Sequence, residues 1–197
     1  MILAVDPGWH NGAAVVLSSS GEFRALCSWQ SGSRGSWWEV TTLDGLDSGK
    51  ARVTTFGALC ELVREVGARH QCRVGVVEGL RFGLRGERCP ACGRPKEGRS
   101  SASIATLAGS AMALAAAVEQ VTRARAVRPT PDVWRKVLKL GSANGEAAKR
   151  AAMVAVGGKG RRRIRVRFPC TLPAPWCDVD HAAEAACMGE WARLKGE

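Results

Sequence analysis

The sequence predicts an α/β domain in which a mixed sheet starts with three antiparallel strands and is flanked by helices. Apolar segments near 1 to 6, 11 to 18 and 22 to 29 are short and separated by turn residues, which is typical of a β-meander. Beyond the meander, helical and strand-like segments alternate, as a mixed sheet with helices on its faces requires. With a strand ending at position 78 and a short one at 125 to 127, we expect five strands.

The remaining segments complete a single domain over 1–197. Helices are expected at about 54 to 70, 101 to 121, 130 to 139 and 144 to 156, with a last one after position 178. Positions 31 to 53 are rich in Ser and Gly and are interpreted as an insertion loop. A chain of 197 residues with 46% hydrophobic residues can bury one core but not two.

The charge balance indicates a polyanionic partner rather than a small metabolite. The chain has 29 Lys and Arg against 18 Asp and Glu, a formal net charge of +11. Basic residues are concentrated in a Cys-containing loop at about 79 to 100 and again at 159 to 167. A charge run is usually a solvated face, but both runs lie between acidic segments that could form a site, so we favour phosphate contacts.

Two acids come directly after strands that are apolar throughout. Asp6 ends the first strand and is followed by Pro7 and Gly8, and Glu78 ends a later strand and is followed by Gly79. Open α/β sheets place their sites at the carboxyl ends of the strands, where both acids fall. Either acid alone could be an ordinary loop residue.

A third acidic segment lies on the last helix. At about 100° per residue, Asp180, His181 and Glu184 project from one face and offer oxygen and nitrogen ligands. Acids that complement the helix dipole would explain Asp180 but not the other two. Asp178 is expected to be the N-cap of this helix.

These segments resemble the RuvC family of Holliday-junction resolvases, which are ribonuclease-H-like nucleases. Asp6-Pro7-Gly8 is similar to the opening motif of the family, and Glu78 is similar to its second acid. His181 and Glu184 resemble its terminal pair of ligands three residues apart, with Glu where Asp is more usual. The segments at 128 to 137 and 141 to 149 resemble its phosphate-binding region.

The resemblance implies cleavage of four-way or branched DNA with two Mg²⁺ ions per site, or Mn²⁺ as a substitute. Carboxylates are the ligands that Mg²⁺ prefers, and two ions can activate water and stabilise the leaving oxygen. The expected ligands are Asp6, Glu78 and Glu184, with either His181 or Asp180 as the fourth. The expected DNA-binding residues are Arg81, Phe82, Arg85, Arg135, Lys136 and Lys149, of which Lys149 also positions the scissile phosphate and Phe82 either stacks on bases or packs in the core.

The uncharged segment from Ser100 to Val118 predicts a helix that packs closely on a neighbour. In the resembled family this helix helps to form a dimer, so Gly109, Ala111 and Leu114 are candidates to face a second protomer; packing within the chain is the alternative. The segment approaches the length of a membrane span, but its small residues argue against membrane insertion. No export signal precedes the first strand, and we expect a cytoplasmic protein.

Cys89 and Cys92 form a Cys-x-x-Cys-Gly knuckle that could hold a structural Zn²⁺ ion. The missing ligands could be Cys170 with Cys177, Cys72 with His70, or residues of another subunit, and a knuckle without metal is the alternative. The other cysteines are expected to be small core residues: Cys27, Cys60 and Cys187.

Other classes of function use parts of the same pattern. A ribonuclease-H-like nuclease acting on RNA/DNA hybrids or flaps would need the same acids, together with contacts to 2′-hydroxyl groups. An actin-like kinase or ATPase would need a second domain. A binding module without activity is disfavoured, because acids beside DNA weaken binding unless metal ions neutralise them.

Overall fold

Five consecutive strands of the sheet are antiparallel neighbours, and the sixth is parallel to the first. The computed structural model describes residues 1–32, 36–45, 47–79, 101–140, 146–157 and 168–197. Within these ranges the strand order is β5-β4-β3-β2-β1-β6. The strands are β1 (Ile2–Asp6), β2 (Asn11–Leu17), β3 (Phe23–Ser31), β4 (Trp38–Asp44), β5 (Asp47–Val53) and β6 (Val74–Val77).

Five α-helices accompany this sheet in the described ranges. They are α1 (Phe56–Arg69), α2 (Ser101–Thr122), α3 (Pro131–Val137), α4 (Glu146–Ala155) and α5 (Asp180–Lys195). The predicted α/β class is confirmed, including the mixed sheet with an antiparallel start and flanking helices. The predicted count of five strands is wrong, since Val127 makes only an isolated bridge to Val76 and two strands come from the supposed insertion.

The segment predicted to be an insertion loop forms the hairpin of β4 and β5. Trp38 and Val40 point to one face of β4 and are buried, whereas Glu39 between them is exposed. This alternation with a period of two allows β4 to pair along the full edge of β3, from Trp38 opposite Ser31 to Asp44 opposite Ala25. The Ser- and Gly-rich composition concealed the strand pattern.

The sheet is covered on both faces near β1, and residues along β1 alternate between two cores. Leu3 and Val5 pack in the core that includes α1 and α2, whereas Ile2 and Ala4 pack in the core that includes α4 and α5. Small residues let α5 approach the sheet: a Cβ at Gly189 would lie 2.8 Å from Leu17 Cδ1. Asp6 therefore continues the face of β1 that α5 covers.

The helix α5 begins one residue later than expected. Trp176–Asp178 form a short 3-10 helix, and Val179 takes the N-cap position of α5 without a side-chain hydrogen bond. The Val179 amide donates to Trp176 O at 3.1 Å, so the chain is already turned before the α-helix starts. The prediction of Asp178 as N-cap is wrong for this reason.

The buried side of α2 includes residues that the sequence suggested for a dimer interface. Ala111 is 7% exposed and Leu114 is 0% exposed, and Leu114 packs against the sheet within the same chain. That assignment is therefore wrong for these two residues. Gly109 has open space around it. By length and composition alone, Ile104–Thr122 could also span a membrane, a test that core helices of soluble proteins pass as well.

Candidate metal and nucleic-acid site

Two neighbouring parallel strands bring Asp6 and Glu78 to the same edge of the sheet. Val5 of β1 is paired with Val77 of β6, and the Glu78 amide donates to Val5 O at 3.0 Å. The next residue of each strand is an acid, so both carboxyl groups lie at the carboxyl ends of the strands. This is the edge at which open α/β sheets place their sites.

The first turn of α5 adds two further groups to Asp6. Ligand atoms of Asp6, His181 and Glu184 all lie within 4.8 Å of one another. His181 Nδ1 is 2.7 Å from Asp6 Oδ2. Asp6 is 7% exposed and Glu184 is 6% exposed. The spacing of three residues between His181 and Glu184 places both on the helix face that meets β1.

Glu78 borders this cluster and is partly buried. Its Oε1 accepts a hydrogen bond of 3.2 Å from the indole Nε1 of Trp134. Burial, together with the neighbouring carboxylates of Asp6 and Glu184, raises the pKa of Glu78 to about 8, against the Trp134 hydrogen bond and the charge of Arg135. Burial and the charge of Asp6 also raise the pKa of Glu184. The site thus places several acidic groups close together, and burial and mutual repulsion oppose the ionisation of Glu78 and Glu184.

Two cations from α3 and α4 pair with acids of α5. Arg135 Nη2 donates to Glu184 Oε1 at 2.5 Å, and Lys149 Nζ donates to Asp180 Oδ2 at 2.6 Å. Burial opposes ionisation of Asp180, but the hydrogen bond from Lys149, the charges of His181 and Lys149 and the hydrogen bond from the His181 amide together outweigh it and lower the pKa of Asp180. The same hydrogen bond raises the pKa of Lys149.

His181 is placed between the two acidic residues Asp6 and Asp180. Its backbone amide donates to Asp180 Oδ1 at 3.0 Å, while its ring contacts Asp6. Burial lowers the pKa of His181, but the hydrogen bond with Asp6 and the charges of Asp6 and Asp180 outweigh burial and raise it. The imidazole is therefore stabilised in its protonated form when no other cation occupies the site.

The described residues bring together most of the acids and two of the bases that the sequence suggested. Asp6, Glu78, Asp180, His181, Glu184, Arg135 and Lys149 converge, whereas Lys136 is exposed on α3. Arg81, Phe82, Arg85, Cys89 and Cys92 lie outside the described residues, as does the basic run at 159 to 167.

Trp134 is a site residue to which the sequence analysis gave no role. It is fully buried, and its only polar side-chain atom is directed to Glu78. A buried indole N–H needs an acceptor, so a Trp beside a predicted phosphate-binding arginine was the available signal. Sequence alone does not say which acceptor it reaches.

The cysteines proposed to complete a zinc site lie in the protein interior. Cys170 and Cys177 are in the core beneath α5, and burial raises the pKa of Cys170 to about 12. Cys72 is also buried, while His70 Nε2 lies 3.1 Å from Asp44 Oδ1. Cys27 and Cys187 are core residues as expected, and Cys60 is half-buried. Zinc binding by Cys89 and Cys92 stays a prediction.

The site belongs to an α/β domain of the ribonuclease-H-like type. Among solved structures, the chain is similar to T. thermophilus RuvC in complex with Holliday junction substrate, with a TM-score of 0.50 and 12% identity over 99% of this chain and 94% of that chain. A second structure of Thermus thermophilus RuvC gives a TM-score of 0.46 and 15% identity over 99% of this chain and 96% of that one. No family model matches the sequence, and no curated protein matches it. At 12% identity, the similarity to the first of these structures shows a shared fold.

Proposed function

We propose that this protein is a divalent-metal-dependent endonuclease that cleaves Holliday junctions and related branched DNA. The observation that carries the proposal is the convergence of Asp6, His181 and Glu184 within 4.8 Å, at the carboxyl edge of a RuvC-like sheet. Glu78 borders the cluster, and Arg135 and Lys149 lie beside it. The net charge of +11 supports a nucleic-acid substrate.

The donor set fits a divalent cation. Burial, together with the charges of Asp6 and Glu184, raises the pKa of Glu78 to about 8, and a cation among the three carboxyl groups would relieve the repulsion between them. Asp6, Glu78, His181 and Glu184 would hold two Mg²⁺ ions, and Mn²⁺ would suit the same oxygen-rich set. When bound, such ions supply an activated water and stabilise the leaving oxygen.

We assign the fourth ligand to His181 and give Asp180 a positioning role. The carboxylate of Asp180 is paired with Lys149 at 2.6 Å, whereas the ring of His181 belongs to the cluster with Asp6 and Glu184. Asp180 would therefore act by orienting Lys149.

Lys149 and Arg135 would hold the scissile strand. Both cations lie at the rim of the acidic cluster, and their nitrogen atoms can donate to phosphate oxygens. Exposed Lys136 would add a phosphate contact, and we propose that Arg81, Arg85 and Phe82, in the segment that follows Glu78 in the sequence, also contact the junction. This reaction class is expected to operate in the cytoplasm.

A comparison of substrates tests the proposal. We expect Mg²⁺-dependent cleavage of a synthetic four-way junction in preference to linear duplex, RNA/DNA hybrid and flap substrates. Asp6→Asn, Glu78→Gln and Glu184→Gln should each abolish cleavage and leave junction binding intact, while Glu65→Gln, an exposed change on α1, should cut normally. Preferred cutting of hybrids or flaps would instead support another ribonuclease-H-like nuclease. Near-normal cutting by Asp6→Asn would refute the proposed site.

We further propose that two copies act together, because a four-way junction has two-fold symmetry and one site per chain makes one cut. The solvent-facing side of α2 includes Gly109, Met112 and Ala116. Met112 is 64% exposed, the largest exposed fraction among the large hydrophobic residues described. This face replaces the assignment of Ala111 and Leu114.

A further inference from the structure

A row of directly opposed residues runs across five strands, starting from Asp6. In the sheet register Asp6 is opposite Ala13, Ala13 is opposite Ser28, Ser28 is opposite Thr41, and Thr41 is opposite Lys50. Opposed residues of neighbouring strands project from the same face of a sheet. The row therefore leads from the candidate metal site on β1 to an exposed cation on the outermost strand.

Among the described residues, no helix covers the outer part of this row, because α5 packs mainly on β1 and β2. Ala13 is buried, Ser28 and Thr41 are partly exposed, and Lys50 is exposed. The β4–β5 hairpin therefore extends the sheet beyond the helix that covers its centre.

The open face forms one side of a groove of about 500 Å³, here called the strand groove. Its other side is made by Trp176, Val179 and the candidate site residues Lys149, Asp180 and His181. The groove is thus continuous with the proposed site of cleavage.

The chemistry of the strand groove suits a nucleic-acid backbone. Its floor offers hydroxyl and amide groups, including those of Ser28, Thr41 and Gln30, and Lys149 and Lys50 also line it. Glu39 lines it too, but Arg52 is directly opposite Glu39 in the register. Hydroxyl, amide and ammonium groups are the donors that commonly contact phosphate and sugar.

The length of the row sets the number of nucleotides that it could span. Four strand intervals of about 4.8 Å give roughly 19 Å between β1 and β5. At a rise of about 3.4 Å per nucleotide in one strand, this corresponds to roughly five to six nucleotides.

We propose that the strand groove binds one strand of a DNA arm next to the cut, with Lys50 contacting a phosphate roughly five to six nucleotides from the scissile one. This inference rests on the proposed nuclease function and deepens it. The β4–β5 hairpin would add contacts to the DNA beyond those of the acidic cluster and its neighbouring cations.

The first test compares Lys50→Ala with Arg73→Ala. Both side chains are exposed, but Arg73 precedes β6 and lies at the opposite end of the parallel strands. Junction binding is measured by fluorescence anisotropy in EDTA between about 0.05 and 0.3 M salt. Lys50→Ala should flatten the plot of log affinity against log salt by about 0.9 and weaken binding about 8-fold at about 0.1 M salt, taking about 1 M as reference. Arg73→Ala should behave as the wild type.

The second test removes the nucleotides that Lys50 would contact instead of the Lys50 side chain. After the cut has been mapped, the arm strand is shortened to two nucleotides on each side of it in turn. On one side, shortening should weaken wild-type binding about 8-fold and leave Lys50→Ala unaffected, because the lost phosphate and the lost ammonium group are partners.

The outcomes separate the two proposals. If the wild type cuts junctions but Lys50→Ala matches Arg73→Ala in both tests, the strand groove is refuted and the nuclease proposal stands. If the wild type neither binds nor cuts branched DNA, the nuclease proposal fails, and this inference fails with it.

Discussion

Replacing Glu78 by glutamine should stabilise the metal-free protein at alkaline pH while abolishing cleavage. Burial, together with the carboxylates of Asp6 and Glu184, raises the pKa of Glu78 to about 8 from 4.5. A carboxyl group whose pKa is raised in the folded state binds more protons there than in the unfolded state. The folded protein therefore loses stability as pH rises from about 4.5 to about 8. Glutamine keeps the shape of the side chain and removes this loss.

The size of the effect follows from the two pKa values. At about 1.4 kcal/mol per pH unit, the difference corresponds to at most ~5 kcal/mol above pH 8. Because Glu78 is partly exposed, solvent screening reduces this, and we expect ~2 to 3 kcal/mol. The amide oxygen of the introduced glutamine can still accept the hydrogen bond from Trp134, so that contact contributes little to the difference.

The measurement is urea-induced unfolding in EDTA at pH 5, 7 and 9, with Glu65→Gln as an exposed control on α1. Glu78→Gln should exceed the wild type in free energy of unfolding at pH 9 and approach it at pH 5. Added Mg²⁺ should stabilise the wild type more than the variant, and more strongly at pH 9, because the bound ion requires the carboxylate form. Equal pH dependence of the wild type and Glu78→Gln would show that the pKa of Glu78 is not raised in the folded protein, and would refute the reasoning.

His181→Ala should abolish metal-dependent cleavage in single-turnover assays, whereas Asp180→Asn should slow it roughly 10- to 100-fold, as expected for a residue that orients another; an inactive Asp180→Asn beside an active His181→Ala would reverse the assignment. Arg135→Ala and Lys149→Ala should each lower the slope of log affinity against log salt concentration for junction binding by about 0.9, whereas Lys195→Ala, an exposed control, should not change it. Lys149→Ala should also slow cleavage at saturating DNA. Met112→Glu should convert a dimer into a folded monomer by light scattering and leave supercoiled cruciform DNA singly nicked, while Lys195→Glu should not; a monomeric wild type that releases nicked circles would refute paired cutting.

The positions of the acids could be predicted because the signal is local. An apolar strand that ends in an acid before Pro7-Gly8, or before Gly79, already says that the carboxyl group lies at the edge of the sheet. The face shared by His181 and Glu184 follows from helical geometry alone. Neither inference depends on how distant segments dock.

The partners of these acids could not be predicted, since they depend on packing between elements. The contact of Arg135 with Glu184 requires α3 to dock beside α5, and the spacing of the two residues in the sequence contains no record of that docking. The sequence also did not show which side of α2 is buried. Small residues surround that helix on all sides, so composition did not distinguish buried Ala111 from the solvent-facing Gly109.

The hairpin of β4 and β5 was concealed for a different reason. Its alternating pattern, from Trp38 to Thr41, is present in the sequence, but it is short and lies within a Ser- and Gly-rich segment. Of the residues on β5, only Val53 is partly buried, so this edge strand has almost no hydrophobic signature. A strand of this kind becomes visible only through its pairing with β4.

The pairing of cations with acids bears on how the proposed reaction would be controlled. Arg135 and Lys149 contact Glu184 and Asp180 in the described state, yet the same nitrogen atoms are the proposed contacts of the scissile strand. A guanidinium or ammonium group shared between a carboxylate and a phosphate binds each less strongly than it would bind one alone. DNA would therefore compete with Glu184 and Asp180 for these cations, and neutralisation of Glu184 by bound metal would free Arg135 for the phosphate. On this reasoning, tight binding of the scissile strand and a filled metal site favour each other, which confines cleavage to the state in which both are present.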